Sequence, residues 1–355
     1  MKVLIPYSTH FKLTETNTTG RVVTGGIEKF CYDIFDNYDE AIPLCITDEI
    51  KENRKTKQTI QNAITKHKPD MILLNNQWWG RMMLSFNIPL ILVVHEPLVR
   101  DIRFVEFGKI LKELNDNGTH IYFVSPNQHE YHVKLAKRIN DTDFGPIKGY
   151  INSSYLPENM PFVEEHIWDA ITVGSQDPMK SPFTVKKKLE KSKLVSAVMT
   201  NDAVYKSPTI NKYIEDNRHW DYVIRGAAHD KVLENVASSR VFVSTCTHES
   251  WGITAMEALG CGVPVLLCTD KSGKHSSTAI AADPLHMMKV ERSMPDNVFE
   301  EHIEALYKIT KRHRKDIQEQ SIQKHHLNNW RKSIDDMVNK RFDDKMEYSN
   351  LEGFM

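Results

Sequence analysis

Two glutamates, Glu249 and Glu257, stand with seven residues between them in the segment HESWGITAMEALGCGVPVLLC, residues 248–268. Such a segment is suited to holding a phosphorylated sugar. Glu249 falls on the loop leaving an apolar strand, where its carboxylate can hold sugar hydroxyls. Ser250, Trp251 and Gly252 bring backbone amides toward a ligand. A helix opening near Ile253 and Thr254 offers a phosphate its unpaired N–H groups and the positive end of its dipole. Glu257, one turn on, can accept hydrogen bonds from a ribose. Gly260 and Gly262 end the helix, and Pro264 starts the next buried strand. A bare pair of glutamates at this spacing is more often two solvated helix carboxylates. The glycines between and after them, and the apolar exit, set this pair apart.

These residues need a frame of strands and helices. Short apolar runs at Val3 to Ile5, Ile42 to Ile46, Met71 to Leu74, Leu90 to Val94 and Ile121 to Val124 alternate with amphipathic stretches such as 26–37 and 49–68. That rhythm predicts a doubly wound parallel α/β domain. The segment YINSSYLPENMPFVEE, residues 150–165, has no periodicity and reads as a linker. A second α/β rhythm follows, with strands at Ala170 to Val173, Leu194 to Met199, Tyr222 to Arg225, Val241 to Ser244 and Pro264 to Cys268. From about 299 to 343 the chain reads as helix, its buried stripe formed by Phe299, Ile303, Leu306, Ile309, Ile317, Ile322, Trp330, Ile334 and Met337.

Length and composition agree with this frame. A chain of 355 residues exceeds what one hydrophobic core usually serves, so two domains are expected. With 40% hydrophobic and 26% charged residues it reads as a globular enzyme, without an apolar run of about 18 residues that would span a bilayer. The opening MKVLIPYSTH reads as a first strand rather than a secretory signal, which leads to a cytoplasmic expectation. Cys31, Cys45, Cys246, Cys261 and Cys268 are odd in number and lack a CxxC spacing, so neither a disulfide nor a zinc site is expected. The formal charge of -1 requires any polyanionic partner to be met by a local patch.

The 248–268 segment resembles the E-x7-E signature of GT-B glycosyltransferases, in particular the large retaining group called family 4. The match joins both glutamates to Gly252, to Glu257-Ala258 and to the exit Gly262-Val263-Pro264-Val265. Other positions follow the family in order. Thr24-Gly25-Gly26-Ile27-Glu28 resembles its amino-terminal glycine loop, where Gly25 and Gly26 would let the donor approach a helix start. His95 ends a strand as does the family residue that faces the donor sugar, at the edge where parallel sheets bind ligands. Ile171 to Ser175, followed by Lys180, resembles the segment that neutralises the departing diphosphate. Ser175 stands where the family has arginine, so Lys180 would supply the charge, with Arg225 or another cation in compensation.

The resemblance implies two Rossmann-like domains facing across a cleft: an acceptor-side domain at 1–155 and a nucleotide-sugar-binding domain at 156–310. A helical segment at 311–355 would pack back on the first. It implies a UDP-sugar or other nucleotide sugar as co-substrate, no further cofactor and no metal. Transfer would proceed with retention, the departing phosphate taking the acceptor's proton, with Glu249, His95 and Lys180 as the catalytic residues. A GT-B epimerase, a hydrolase and a non-catalytic nucleotide-sugar or nucleic-acid binding module remain as alternatives. For the acceptor, a hydroxymethylated base in double-stranded DNA, as in bacteriophage DNA glycosyltransferases, is the first expectation. Trp78, Trp79 and Arg81, with Arg100 and Arg103, would meet the duplex. A surface polysaccharide or a small molecule is the second.

Overall fold

The computed structural model describes residues 1–9, 26–47, 54–95, 104–174, 183–189, 191–200, 222–225, 227–246, 249–269 and 286–352. They form two α/β units, each built on a six-stranded sheet. The first takes in the start of the chain, Gly25–Ser154 and Asn328–Met355; the second takes in Tyr155–Leu327.

In the first unit, β1 (Val3–Thr9), β2 (Ala41–Thr47), β3 (Met71–Leu74), β4 (Leu90–Val94), β5 (His120–Phe123) and the two-residue β6 (Gly149–Tyr150) pair in parallel in the order β2-β1-β3-β4-β5-β6. Every residue of β3, β4 and β5 is buried, as expected of parallel strands covered on both faces. The connecting helices are α1 (Gly26–Asn37), α2 (Arg54–His67), the short α3 (Gly80–Leu84), α4 (Phe104–Asp116) and α5 (Pro126–Asn140). The start of α5 is set by its sequence: Ser125 caps it by accepting from the Gln128 amide, and Pro126 occupies a position that needs no donor.

In the second unit, β7 (Trp168–Val173), β8 (Ser196–Thr200), β9 (Tyr222–Arg225), β10 (Ser239–Ser244), β11 (Val265–Thr269) and β12 (Met287–Glu291) pair in parallel in the order β12-β11-β10-β7-β8-β9. Helices α6 (Phe183–Leu189), α7 (His229–Ala237), α8 (Ile253–Gly260), α9 (Asp296–Thr310) and α10 (Arg314–Lys324) belong to it. The last helix, α11 (Leu327–Glu352), contributes all but its first residue to the first unit.

Each apolar run read as a strand overlaps an observed strand, and the doubly wound parallel architecture is the one present. One expectation for the helical tail is corrected. Ile309 is 58% exposed, because Phe299, Ile303, Leu306 and Thr310 form the buried stripe of α9. At about 100° per residue Ile309 lies off the edge of that stripe.

Strand order reverses between β1 and β3 in one sheet and between β7 and β10 in the other. Ligands of open parallel sheets bind beyond the carboxyl ends of the strands at such a reversal. The residues leaving β7 and β10 in one unit, and β1 and β3 in the other, stand at these positions.

Where the chain leaves the first unit, Ser154 Oγ donates to Asp33 Oδ2 at 2.7 Å, and Lys29 Nζ donates to the same oxygen at 3.0 Å. Where it returns, Trp330 Nε1 donates to the Asn152 carbonyl at 3.1 Å, and its ring packs edge-on against Phe30. In the second unit the two connections meet as well, the Leu156 amide donating to the His325 carbonyl at 2.8 Å.

Candidate active site

In the second unit the site is built on the loop after β10 and on α8. Gly252 immediately precedes the helix with φ 79° and ψ 52°, a left-handed conformation that favours glycine. Gly252, in the N-cap position, has no side chain with which to cap α8, and the first residues of the helix, Ile253 and Thr254, are only half-buried. The start of α8 therefore presents backbone donors and a positive dipole end beside the reversal at β7 and β10. Ser250 is buried, Glu249 is half-buried, and the Trp251 ring stands edge-on to His325 at 6.1 Å.

Glu257 lies one turn into α8 with its side chain only 7% exposed, and His229 Nε2 approaches its Oε1 to 2.8 Å. His229 is the first residue of α7. Among the described residues no other group holds the Glu257 carboxylate. Among the described residues one oxygen of the carboxylate is thus held and the other is not.

The far end of α8 is anchored by α10. Gln318 Nε2 donates to the Gly260 carbonyl at 3.0 Å and to Met160 O at 3.1 Å. Arg314, almost fully buried, donates from Nε to Gly262 O at 2.9 Å, from one terminal nitrogen to Val163 O at 2.8 Å and from the other to Ala237 O at 3.0 Å. It also meets His166 Nε2, and burial together with the Arg314 charge holds that imidazole down at about 4. Gly262 has φ 71°, and a Cβ there would stand 2.5 Å from the Arg314 carbonyl oxygen. No larger residue fits this turn without displacing backbone.

In the first unit, His95 follows β4 and Asn75 follows β3. Asn75 Nδ2 donates to Cys31 Sγ at 3.2 Å, which turns its oxygen to His95 Nε2 at 3.0 Å. Nε2 therefore carries the proton, and Nδ1 is left as an acceptor. The ring packs on Phe30 at 4.7 Å, and burial lowers its pKa to about 3, so the imidazole is neutral.

The remaining sequence candidates are distributed as follows. Gly26 is the first residue of α1, and Arg225 ends β9. Gly25, Ser175, Lys180, Arg100 and Arg103 lie outside the described residues. Trp79 is fully buried in the core of the first unit, and Trp78 packs edge-on to Phe107. Arg81 is engaged by Glu113 at 2.6 Å and Glu106 at 3.1 Å. Trp79 thus has no surface to offer a ligand, and the Arg81 charge is already met. His229, Asn75, Arg314 and Gln318 were not among the candidates. Each acts through a partner distant in sequence and carries no motif of its own.

Among the described residues no group of three or more His, Cys, Asp or Glu is placed to hold a metal ion. No described helix is long and apolar enough to cross a membrane.

No family model and no curated protein matches the sequence. Solved structures do. Sucrose-phosphate synthase from Thermosynechococcus elongatus is 11% identical with a TM-score of 0.69, covering 100% of each chain. The Anabaena protein HepE in complex with UDP and glucose is 13% identical with a TM-score of 0.72, covering 96% of this chain and 100% of its own. A glycosyltransferase from Rickettsia africae is 12% identical with a TM-score of 0.65, covering 95% of this chain and 98% of its own. At such identities the likeness is one of architecture, and the two parallel α/β units have the GT-B fold.

Proposed function

We propose that this protein is a retaining glycosyltransferase that moves a sugar from a nucleotide-sugar donor, with UDP as the carrier, to a hydroxyl acceptor. The observation that carries the reading is the arrangement on α8: a half-buried carboxylate, Glu249, before a left-handed glycine; open helix N–H groups after it; and a buried carboxylate, Glu257, with one oxygen available. The three features suit, in turn, a hexose, a diphosphate and a ribose. The GT-B fold and the UDP and glucose held by HepE support the choice.

In this reading the acceptor oxygen bonds to the anomeric carbon as the bond from that carbon to the diphosphate oxygen breaks. The acceptor proton passes to the departing phosphate, on the same face of the sugar. Catalysis rests on positioning and on stabilising the charge that develops on the diphosphate, to which the start of α8 contributes. Lys180 is assigned to the same charge on the resemblance alone. His95, neutral and with Nδ1 as an acceptor, is suited to a sugar hydroxyl. The DNA acceptor loses its main support, since Trp79 is core and Arg81 is paired, and the acceptor is read only as a hydroxyl.

The test is turnover of UDP-glucose, UDP-galactose and UDP-N-acetylglucosamine by the purified chain, with and without saccharide acceptors and hydroxymethylcytosine DNA. UDP release that depends on acceptor, with an α-linked product, supports the reading. Acceptor-independent release indicates a hydrolase. A β-linked product overturns retention.

A further inference from the structure

We infer that His229 is a positioning residue for the nucleotide: it holds Glu257 in the orientation that receives the ribose. The inference rests on the proposed donor site and names a part of it that has no counterpart among the sequence motifs.

Glu257 is buried, and a buried carboxylate requires hydrogen-bond donors, which also hold it in one rotamer. The described residues supply one, His229 Nε2 at 2.8 Å from Oε1. That contact joins α7 to α8 across 28 positions of sequence. It comes from the first residue of α7, so the donor is set by the helix start rather than by a flexible loop. The preceding residue, Ala228, provides no side-chain cap, and the amide of Val232 donates back to the Ala228 carbonyl at 3.0 Å. The imidazole nitrogen Nε2 is thus directed to Glu257 from the first turn of the helix.

The arrangement has a directional consequence. With Oε1 held, Oε2 is presented in one place, where a vicinal diol can donate to it. Without the imidazole the carboxylate can rotate about its last torsion, and a ligand must then order it on binding. Through this contact His229 acts on the affinity of the ribose. Its side chain is 36% exposed, so replacing it removes little packing.

The experiment measures binding of UDP, 2′-deoxy-UDP and 3′-deoxy-UDP to wild type, His229→Ala, His229→Gln and Glu257→Gln by calorimetry, with a melting curve for each. In wild type, loss of the hydroxyl that meets Glu257 weakens binding about tenfold, the worth of one charge-assisted hydrogen bond. In His229→Ala, UDP is expected to bind about tenfold more weakly while the deoxy analogue loses little, so that their difference shrinks. His229→Gln, which keeps an N–H donor of similar reach, is expected to recover most of the difference. Equal losses for UDP and both deoxy analogues in His229→Ala would show a merely structural role and overturn the inference, as would unchanged UDP affinity. If wild type binds none of UDP, 2′-deoxy-UDP and 3′-deoxy-UDP, the donor site itself is misread and the inference falls with it.

Discussion

Asn75 Oδ1 lies 3.0 Å from His95 Nε2, and the same amide reaches Cys31 Sγ with its nitrogen. The pair joins the ends of β3 and β4 and determines which imidazole nitrogen carries the proton. Asn75→Ala is expected to leave the His95 donor buried and unsatisfied, lowering stability by about 1 to 3 kcal/mol. Transfer should fall as well, because the ring loses its fixed tautomer. Urea unfolding beside a turnover assay checks both. An unchanged unfolding midpoint would mean that the hydrogen bond contributes nothing.

Stability should fall on mild acidification. Burial lowers His95 to about 3 and His325 to about 4, and burial with the Arg314 charge lowers His166 to about 4. Between the ordinary value of 6.5 and these folded values, the unfolded chain binds protons that the native chain does not. Stability is therefore complete above about pH 6.5 and declines as the pH falls towards 4, at about 1.4 kcal/mol for each tenfold difference in proton affinity. Melting temperatures from pH 7.5 down to 4.5 test this, with His325→Gln expected to flatten the slope. A profile that is level over that range contradicts it.

Glu249→Ala is expected to abolish transfer while the variant still folds and melts cooperatively, since this half-buried loop residue is not part of the hydrophobic core. Wild-type turnover in this variant would remove the central assignment. Glu257→Ala should instead act on the nucleotide, weakening UDP binding by roughly 1.5 to 3 kcal/mol. A normal UDP affinity there would place the ribose elsewhere.

Gly262→Ala should destabilise the second unit. The residue has φ 71°, and an added Cβ would meet the Arg314 carbonyl oxygen at 2.5 Å. Left-handed backbone alone costs a residue with a Cβ about 1 to 2 kcal/mol, and the clash adds to it. Arg314→Met is expected to cost about 3 kcal/mol or more, because three backbone carbonyls lose their donor together. Chemical denaturation of each variant provides the measurement. Wild-type stability in Arg314→Met would show that water replaces the guanidinium at no cost.

The sheet cores were legible because parallel strands covered on both faces are continuous apolar runs, as in Met71–Leu74 and Leu90–Val94. Two edge strands were not. Gly149–Tyr150 is too short to show a period, and Met287–Glu291 buries only Val290 among its five residues. In the proposed site, Glu249 and Glu257 could be named from the sequence because their relation is local, set by one loop and one helical turn. His229 was not, since nothing in Ala227-Ala228-His229-Asp230 marks a residue that meets Glu257. Trp79 shows the reverse error. Adjacent aromatics beside an arginine looked like a nucleic-acid surface, but the 3-10 turn at Gln77–Trp79 rotates Trp79 into the core.

The hold of Arg314 and Gln318 on the end of α8 has a further consequence for motion. The carbonyls of Met160, Val163, Ala237, Gly260 and Gly262 all share donors from one face of α10. The helix that presents Glu257 cannot fray from its carboxyl end unless α10 detaches as well. Amide hydrogens of α8 and α10 should therefore exchange with deuterium in a single cooperative opening, at the slow end of the range for the second unit. The nucleotide would then meet a helix already held in place, and any fluctuation needed for sugar entry falls to the loop at its other end, around Gly252.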